Sequence, residues 1–176
     1  MRILIIGHPG SGKTYLADSL HTVTGIAKLD IDVLFDKYPY CIVSKKLYRK
    51  MFGKLLGNTR DIIIDGYHGH LMPNELWKSA DVVIYLNLPS EELQSNIRSR
   101  YELKKANREF SHGQSLFINV IKNFMLIKFW DKKLKREVEK SKNLLSKNCA
   151  FYELKSREEI NTLLNTFCSN DLTRPR

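Results

Sequence analysis

Residues 7–14 read Gly-His-Pro-Gly-Ser-Gly-Lys-Thr, which matches the pattern G-x4-G-K-T. The apolar run Ile-Leu-Ile-Ile at 3–6 precedes this stretch, and a helical pattern at 15–20 follows it. Glycines in such a loop let the backbone turn tightly and bring its N–H groups onto a polyphosphate, while the new helix directs its positive dipole end at the same charge. A phosphate-binding loop between a strand and a helix therefore decides the fold class.

Individual residues of this loop have predicted roles in binding a nucleotide. Lys13 would reach the β- and γ-phosphates, and the Thr14 hydroxyl would ligate Mg²⁺. The remaining predicted contacts come from the loop and its neighbour: Gly7, His8, Pro9, Gly10, Ser11, Gly12 and Tyr15. For His8 we expect the backbone to matter more than the ring.

Length and composition indicate one domain, 1–176, with a hydrophobic core. The chain has 176 residues and 43% hydrophobic content, too short for two full domains. Its three cysteines, Cys41, Cys149 and Cys168, are far apart, which argues against a disulfide framework or a zinc site and for a reducing compartment. No apolar stretch approaches ~18 residues, so we expect a soluble cytoplasmic protein without a membrane partner.

The net charge of +10 is unevenly distributed along the chain. Residues 98–147 hold 14 Lys and Arg against 5 Asp and Glu, a surplus of nine positive charges. Such a surplus favours an anionic partner, and phosphorylated metabolites, nucleotides and nucleic acid all meet that description. Many of these lysines would equally suit the solvated face of a helix.

Short apolar segments alternate with helical ones, which predicts an α/β fold with a parallel sheet covered on both faces. The predicted strands lie near 2–6, 26–29, 61–65, 81–87 and 150–154. The predicted helices lie near 13–22, 44–57, 71–78, 90–105, 114–147 and 156–168. In the long basic region 114–147, apolar residues recur close to helical spacing: Leu116, Phe117, Val120, Ile121, Phe124, Ile127 and Phe129. Core packing is the simplest explanation for them.

Acidic residues follow two of the predicted strands. Asp65 and Gly66 end the third strand, where a carboxylate beside a phosphate loop orients Mg²⁺ or contacts substrate, although Asp-Gly is also a common turn pair. Asp30 and Asp32 follow the second strand at the same crevice. Either would contact substrate or metal, or would cap a turn, and Asp32 is the better candidate for a base that accepts a proton from the acceptor.

A basic, weakly periodic segment at 98–113 resembles a mobile lid. Phosphoryl transfer requires cations on the transferring group and exclusion of water, so arginines on a closing segment have a physical purpose. Arg100 is the predicted catalytic residue, with Arg98 and Arg108 as further substrate contacts. Basic residues in the last turn of a helix also complement its dipole.

The five histidines, at positions 8, 21, 68, 70 and 112, do not form a metal pattern. Phosphoryl transfer needs little covalent chemistry from a protein, so we interpret His68 and His70 as polar loop residues. Contact of Tyr67 or His68 with the acceptor stays open.

The ordered set GHPGSGKT, LDID at 29–32, IIIDGY at 62–67 and ADVVIYLNLP at 80–89 resembles the P-loop kinases of the adenylate kinase and shikimate kinase type. More narrowly, the chain looks like the small kinases named DNA topology modulation proteins, the FlaR family, which also fits the segment 152–157. The resemblance implies a three-layer fold with a five-stranded parallel sheet in the order 2-3-1-4-5. It also implies ATP over the phosphate loop, with Arg157 among the nucleotide contacts, and an acceptor near Asp32 and Asp65, with 33–60 as an acceptor-side insertion.

The chain departs from the adenylate kinase pattern at two places. Adenylate kinases carry two arginines four residues apart after the fourth strand, whereas this chain has Asn96 and Arg100, so one cation is missing. Adenylate kinases also follow Asp-Gly with Phe-Pro-Arg, whereas this chain has Tyr-His-Gly at 67–69. We therefore expect an acceptor other than AMP.

These observations predict an Mg²⁺-ATP-dependent kinase. Lys13 and Arg100 would stabilise the transferring group, Thr14 and Asp65 would hold Mg²⁺, and Asp32 would orient or deprotonate the acceptor. The alternative is a nucleotide-regulated protein that binds nucleic acid through its basic region, with Phe124, Phe129 and Trp130 among the lysines; these aromatics are more simply explained as core. A polynucleotide 5′-hydroxyl kinase would combine both interpretations.

Overall fold

The computed structural model of this chain describes residues 1–31, 45–67, 72–107 and 116–169. The strands within these ranges are β1 (Arg2–Gly7), β2 (Lys28–Asp30), β3 (Ile62–Asp65), β4 (Val82–Leu86) and β5 (Ala150–Leu154). The helices are α1 (Lys13–Thr24), α2 (Lys45–Asn58), α3 (Asn74–Lys78), α4 (Ser90–Ala106), α5 (Leu116–Lys142) and α6 (Arg157–Cys168). All five predicted strands are present. The long helix predicted over 114–147 is shorter in the structure. Helix α5 ends at Lys142, and turns follow it.

The strands form one parallel sheet in the order β2-β3-β1-β4-β5. This order confirms the predicted topology. The central strands are continuous apolar runs because helices cover both of their faces: every residue of β3 and β4 is buried. The carboxyl ends of β1, β2 and β3 meet at one edge of the sheet, where the phosphate loop begins.

Two hydrophobic clusters, one on each face of the sheet, make the core. On one face, Ile62 and Ile64 of β3 pack with Phe52 of α2 and Trp77 of α3. On the other face, α1 and α6 cover the sheet, and Leu93 and Ile97 bring α4 to the same cluster. Alternate residues of each strand therefore serve opposite layers, which is the expected period of two. Among the described residues, no helix combines the length and the apolar content that a bilayer span requires.

The prediction that the apolar residues of α5 are core holds for only one side of the helix. Ile127 is buried, and Val120 and Phe124 pack partly against the core. The prediction is wrong for Ile121, Phe129 and Trp130, whose exposed fractions are 44%, 63% and 47%. A sheet covers only one side of a helix, and at 100° per residue Ile121 and Phe129 lie on the side of α5 away from Ile127, whereas Trp130 lies at the border of the covered side.

Candidate phosphate-binding site

The phosphate loop connects β1 to α1 and is a compact turn. Gly10 and Gly12 have φ angles of 82° and 86°, in the left-handed region that glycine enters without steric cost. The Ser11 N–H donates to the His8 carbonyl at 3.1 Å, and Lys13 Nζ donates to the same carbonyl at 3.2 Å. The loop thus ends at the amino terminus of α1, where the N–H groups of the first helical turn form an anion site.

Helix α4 packs directly on the phosphate loop at Gly10. A Cβ atom at this position would lie 2.6 Å from the Leu93 carbonyl oxygen and 3.0 Å from Ile97 Cγ1. Gly10 is therefore required for the close approach of α4 as well as for the turn. A second link is polar: Asn96 Nδ2 donates to the Gly10 carbonyl at 2.9 Å.

Two carboxylates lie at the carboxyl edge of the sheet, on the same face as α1. In the parallel register, Asp30 of β2 is opposite Asp65 of β3, and Asp65 is opposite Ile5 of β1. Register partners project to the same side, and Ile5 belongs to the cluster that α1 covers. Asp65 is 2% exposed, and its carboxylate is on the sheet face covered by the helix whose first turn carries Thr14.

The oxygen atoms of Thr14 and Asp65 are of the kind that Mg²⁺ prefers. This cation usually takes one or two protein oxygens and completes its shell with waters and substrate phosphates. A buried carboxylate also gains from a neighbouring cation, which offsets the cost of its desolvation. The residues present thus fit a magnesium ion held jointly by the protein and a polyphosphate.

The ring of His8 is a contact between the phosphate loop and α5. His8 is 6% exposed, and its Nε2 lies 3.3 Å from Oδ1 of Asp131. Asp131 also pairs with Lys135 of the same helix at 2.8 Å. Burial lowers the pKa of His8 from its ordinary value, more than Asp131 raises it, and Lys13 lowers it further. The lowered pKa favours a neutral ring at physiological pH. We expected the backbone of His8 to matter more than its ring, and the structure shows that the ring contacts α5.

A chain of hydrogen bonds joins α4 to the first residue of α6. Arg157 Nε donates to Glu92 Oε1 at 2.8 Å, and Arg157 Nη2 donates to Asn96 Oδ1. Because Asn96 also donates to Gly10, the guanidinium group of Arg157 is connected through one side chain to the phosphate loop.

The predicted lid arginines lie on the second half of α4. Arg100 is exposed, and Arg98 is exposed with its guanidinium carbon 5.5 Å from the ring centroid of Phe124 on α5. This distance is that of a cation–π contact, so Arg98 packs between the two helices. Tyr15, in the first turn of α1, is 65% exposed.

Gly66 and Tyr67, which the sequence predicts to contact the acceptor, follow β3. The Gly66 N–H donates to the Ile5 carbonyl at 3.2 Å, which extends the sheet pairing by one residue. The Tyr67 hydroxyl donates to Glu137 Oε2 of α5 at 3.1 Å, and burial raises the pKa of this phenol. Four residues with sequence predictions lie outside the described residues: Asp32, His68, His70 and Arg108.

Four contacts of this site were not predicted from the sequence. Asp131 reaches His8, Glu137 reaches Tyr67, and Glu92 and Asn96 hold Arg157. Each pair joins residues 61 or more positions apart in the chain. No local pattern in the sequence indicates such a pair. The acidic residues Asp131 and Glu137 within the basic helix α5 were the signal that could have suggested contacts from this helix.

Comparison with solved structures supports the same architecture. The chain is similar to shikimate kinase from Acinetobacter baumannii in complex with shikimate, with a TM-score of 0.56 and 18% identity over 97% of this chain and 94% of that chain. It is also similar to deoxyadenosine kinase from M. mycoides with bound dATP, with a TM-score of 0.57 and 16% identity over 99% and 100% of the two chains. The chain shares the fold of these two kinases.

Among curated proteins, a relative from Methanocaldococcus jannaschii named "Putative adenylate kinase" is 31% identical to this chain over 117 residues. The match covers 60% of this chain and 62% of the relative, so the chain spans less than two thirds of that protein's length. No family model matches the chain.

Proposed function

We propose that this chain is an Mg²⁺-ATP-dependent kinase that transfers the γ-phosphoryl group of ATP to a small hydroxyl- or phosphate-bearing acceptor. The observation that carries the proposal is the phosphate loop, which places Lys13 and Thr14 at the start of α1 on the sheet face that also carries the buried Asp65. The names of the similar proteins, which are adenylate, shikimate and deoxyadenosine kinases, support a kinase in general. The narrower likeness to the topology modulation family is supported by its motifs.

In the proposed reaction, an acceptor oxygen forms a bond to the γ-phosphorus while the bond to the β,γ-bridging oxygen breaks, and ADP leaves with that electron pair. Lys13 and Arg100 stabilise the charge on the transferring group. Asp32 orients the acceptor hydroxyl or takes its proton. Thr14 and Asp65 would hold Mg²⁺, which would neutralise charge on the phosphates.

The acceptor side of the site is next to Asp30 and Asp65, because the two carboxylates lie together at the end of β2 and β3. Carboxylates repel phosphates and accept hydrogen bonds from hydroxyl groups. This chemistry favours an acceptor that presents a hydroxyl group to the strand ends. The acceptor is proposed to be other than AMP, because this chain has Tyr-His-Gly at 67–69 where adenylate kinases have Phe-Pro-Arg.

The test is Mg²⁺-dependent release of ADP from ATP by purified protein. Separate pools would contain nucleoside monophosphates, nucleosides, small phosphorylated metabolites and 5′-hydroxyl oligonucleotides. Lys13→Ala should lower the turnover stimulated by the active pool by about 10²- to 10³-fold, the usual effect of removing one preorganised cation or donor. Lys78→Ala, at an exposed lysine of α3, is the matched control and should leave turnover unchanged. Full turnover in Lys13→Ala with unchanged stability would reject the proposal.

A second candidate function has a specific observation in its favour. Helix α5 exposes Phe129 and Trp130, with Lys128 Nζ 5.8 Å and Lys133 Nζ 4.1 Å from the respective ring centroids. We propose as the alternative that this face binds single-stranded nucleic acid, because exposed aromatic rings stack on bases while lysines neutralise phosphates.

This alternative makes a quantitative demand on salt dependence. The logarithm of the association constant for a fluorescent oligonucleotide should fall linearly with the logarithm of the salt concentration. The slope should be about −0.7 per phosphate neutralised on a single strand. Changing Lys132 and Lys133 to Gln should flatten the slope, and Trp130→Ala should weaken binding at all salt concentrations. Lys78→Gln is the control. Negligible binding near physiological salt would reject this function and leave the kinase proposal intact.

A further inference from the structure

The side chain of His8 joins the phosphate loop to α5. The ring is buried, although it belongs to a loop that would bind a charged ligand. Asp131, four residues after the buried Ile127, brings its carboxylate to 3.3 Å from His8 Nε2. Among the described residues, Nε2 makes no well-aligned hydrogen bond, so its attraction to Asp131 is electrostatic and becomes stronger when the ring is protonated.

The backbone of the same residue holds the interior of the loop. The His8 carbonyl accepts from the Ser11 N–H at 3.1 Å and from Lys13 Nζ at 3.2 Å. Because a side chain occupies few rotamers, a ring held at α5 restricts the orientation of the peptide group that receives Lys13. Asp131 is thus connected through one residue to Lys13, which the sequence predicts to bind phosphates.

Three charged groups of the described chain act on the ring of His8. Burial lowers the pKa of the ring most, Asp131 raises it, and the cations of Lys13 and Lys135 lower it. Lys135 also pairs with Asp131 at 2.8 Å and partly neutralises that carboxylate. A polyphosphate that pairs with Lys13 would cancel the effect of that cation and add negative charge beside the loop. Both changes favour a protonated ring.

Resting on the proposed function, we propose that Asp131 is a positioning residue for the phosphate loop that acts through the ring of His8, and that this ring takes up a proton from solvent when the loop binds a polyphosphate. The imidazolium group so formed pairs with the Asp131 carboxylate. Binding of the ligand therefore strengthens the contact between the loop and α5, and this contact strengthens binding to the same extent, because linkage between two equilibria is reciprocal.

Titration calorimetry with Mg²⁺-tripolyphosphate in two buffers of different ionisation enthalpy counts the protons taken up on binding. At about pH 6, below the ordinary histidine pKa, the wild type should take up more protons than His8→Gln. Protonation of the ligand itself occurs with both proteins and cancels in the difference. Asp131→Asn, which removes the charge and keeps the shape, should reduce this excess. Glu139→Gln, at an exposed acid of α5 that pairs with Lys142, is the matched control and should retain it.

A double-mutant cycle tests whether Asp131 acts through His8. At the same pH, Asp131→Ala should weaken binding of Mg²⁺-tripolyphosphate about two- to tenfold, as expected for loss of one polar contact. In a His8→Ala background, the same change should alter binding by less than about twofold, because the connection to the loop is already lost. Urea unfolding of each variant verifies that the fold is retained.

Three results would overturn the proposal. Equal proton uptake by the wild type and His8→Gln would show that the ring does not respond to bound phosphates. Unchanged affinity in Asp131→Ala would show that α5 does not position the loop, and additive losses in the cycle would show that Asp131 acts independently of His8. Absence of binding of both Mg²⁺-tripolyphosphate and Mg²⁺-ATP by the wild type would reject the proposed kinase function as well, whereas the first three results reject this inference alone.

Discussion

Substitution of Gly10 by alanine is a direct test of how the phosphate loop and α4 fit together. The φ angle of 82° costs an L-residue ~1–2 kcal/mol, offset by ~0.4–1 kcal/mol of reduced entropy in the unfolded chain. The added Cβ would also lie 2.6 Å from the Leu93 carbonyl oxygen, and overpacking of this kind costs about 1–3 kcal/mol. We expect Gly10→Ala to lower the free energy of unfolding by about 2–4 kcal/mol.

The structure supplies a matched control for the backbone component. Gly12 has a similar φ of 86°, but a Cβ at that position would meet nothing within 4 Å. Gly12→Ala should therefore cost only about 1 kcal/mol, the left-handed strain less the entropy gain. The difference between the two variants isolates the contact with α4.

Urea unfolding followed by far-ultraviolet circular dichroism measures both variants under two-state conditions. Equal shifts of the urea midpoint in Gly10→Ala and Gly12→Ala, with the same dependence of the free energy of unfolding on urea concentration, would refute the predicted cost of the contact with α4. Equal shifts would mean that α4 moves away from the loop without cost, and the link from Gly10 through Asn96 to Arg157 would then position nothing.

Two further predictions concern buried and exposed rings. Because burial holds the pKa of His8 below its ordinary value of 6.5, the unfolded chain binds more protons than the folded chain as pH falls below that value. The stabilisation from neutral His8 should be complete above pH 6.5 and decline below it. The unfolding midpoint should therefore decline less with falling pH in His8→Gln than in the wild type. Identical dependences of the midpoint on pH in the two proteins would contradict this assignment. Phe167→Ala, at a side chain with no exposure, should cost about 3–5 kcal/mol, whereas Phe129→Ala should change stability by less than about 0.5 kcal/mol in the same unfolding assay. A cost above about 2 kcal/mol at Phe129 would mean that this ring is packed.

The sheet was predictable from the sequence because its determinants are local. Runs such as Ile62-Ile63-Ile64 suit only a strand buried on both sides, and the glycine loop fixed where β1 ends and α1 begins. The strand order was predicted from resemblance to a family, because an apolar run in the sequence does not indicate which strands will be its neighbours in the sheet. Asp65 was a candidate for a similar reason, because a carboxylate that ends an apolar strand is conspicuous in the sequence. The parallel register of the structure puts Asp30 opposite it.

Periodicity indicated only part of the packing of α5. Val120, Ile127, Leu134 and Val138 recur on one side of the helix at 100° per residue, but further apolar residues occupy its other sides. Tertiary packing selected the side of Ile127, Leu134 and Val138. It left Phe129 and Trp130 exposed, beside lysines that interact with their rings. The exposure of these aromatics is a property of the assembled layers and not of the helix.

Position 96 shows why a site should be compared in space and not along the chain. The sequence revealed the absence of an arginine at this position, and this absence alone suggested a site with one cation fewer. The structure shows that Arg157, 61 residues away, hydrogen-bonds to Asn96. Because electrostatic attraction depends on where a charge lies and not on which helix carries it, the guanidinium group of Arg157 belongs with the charges beside position 96.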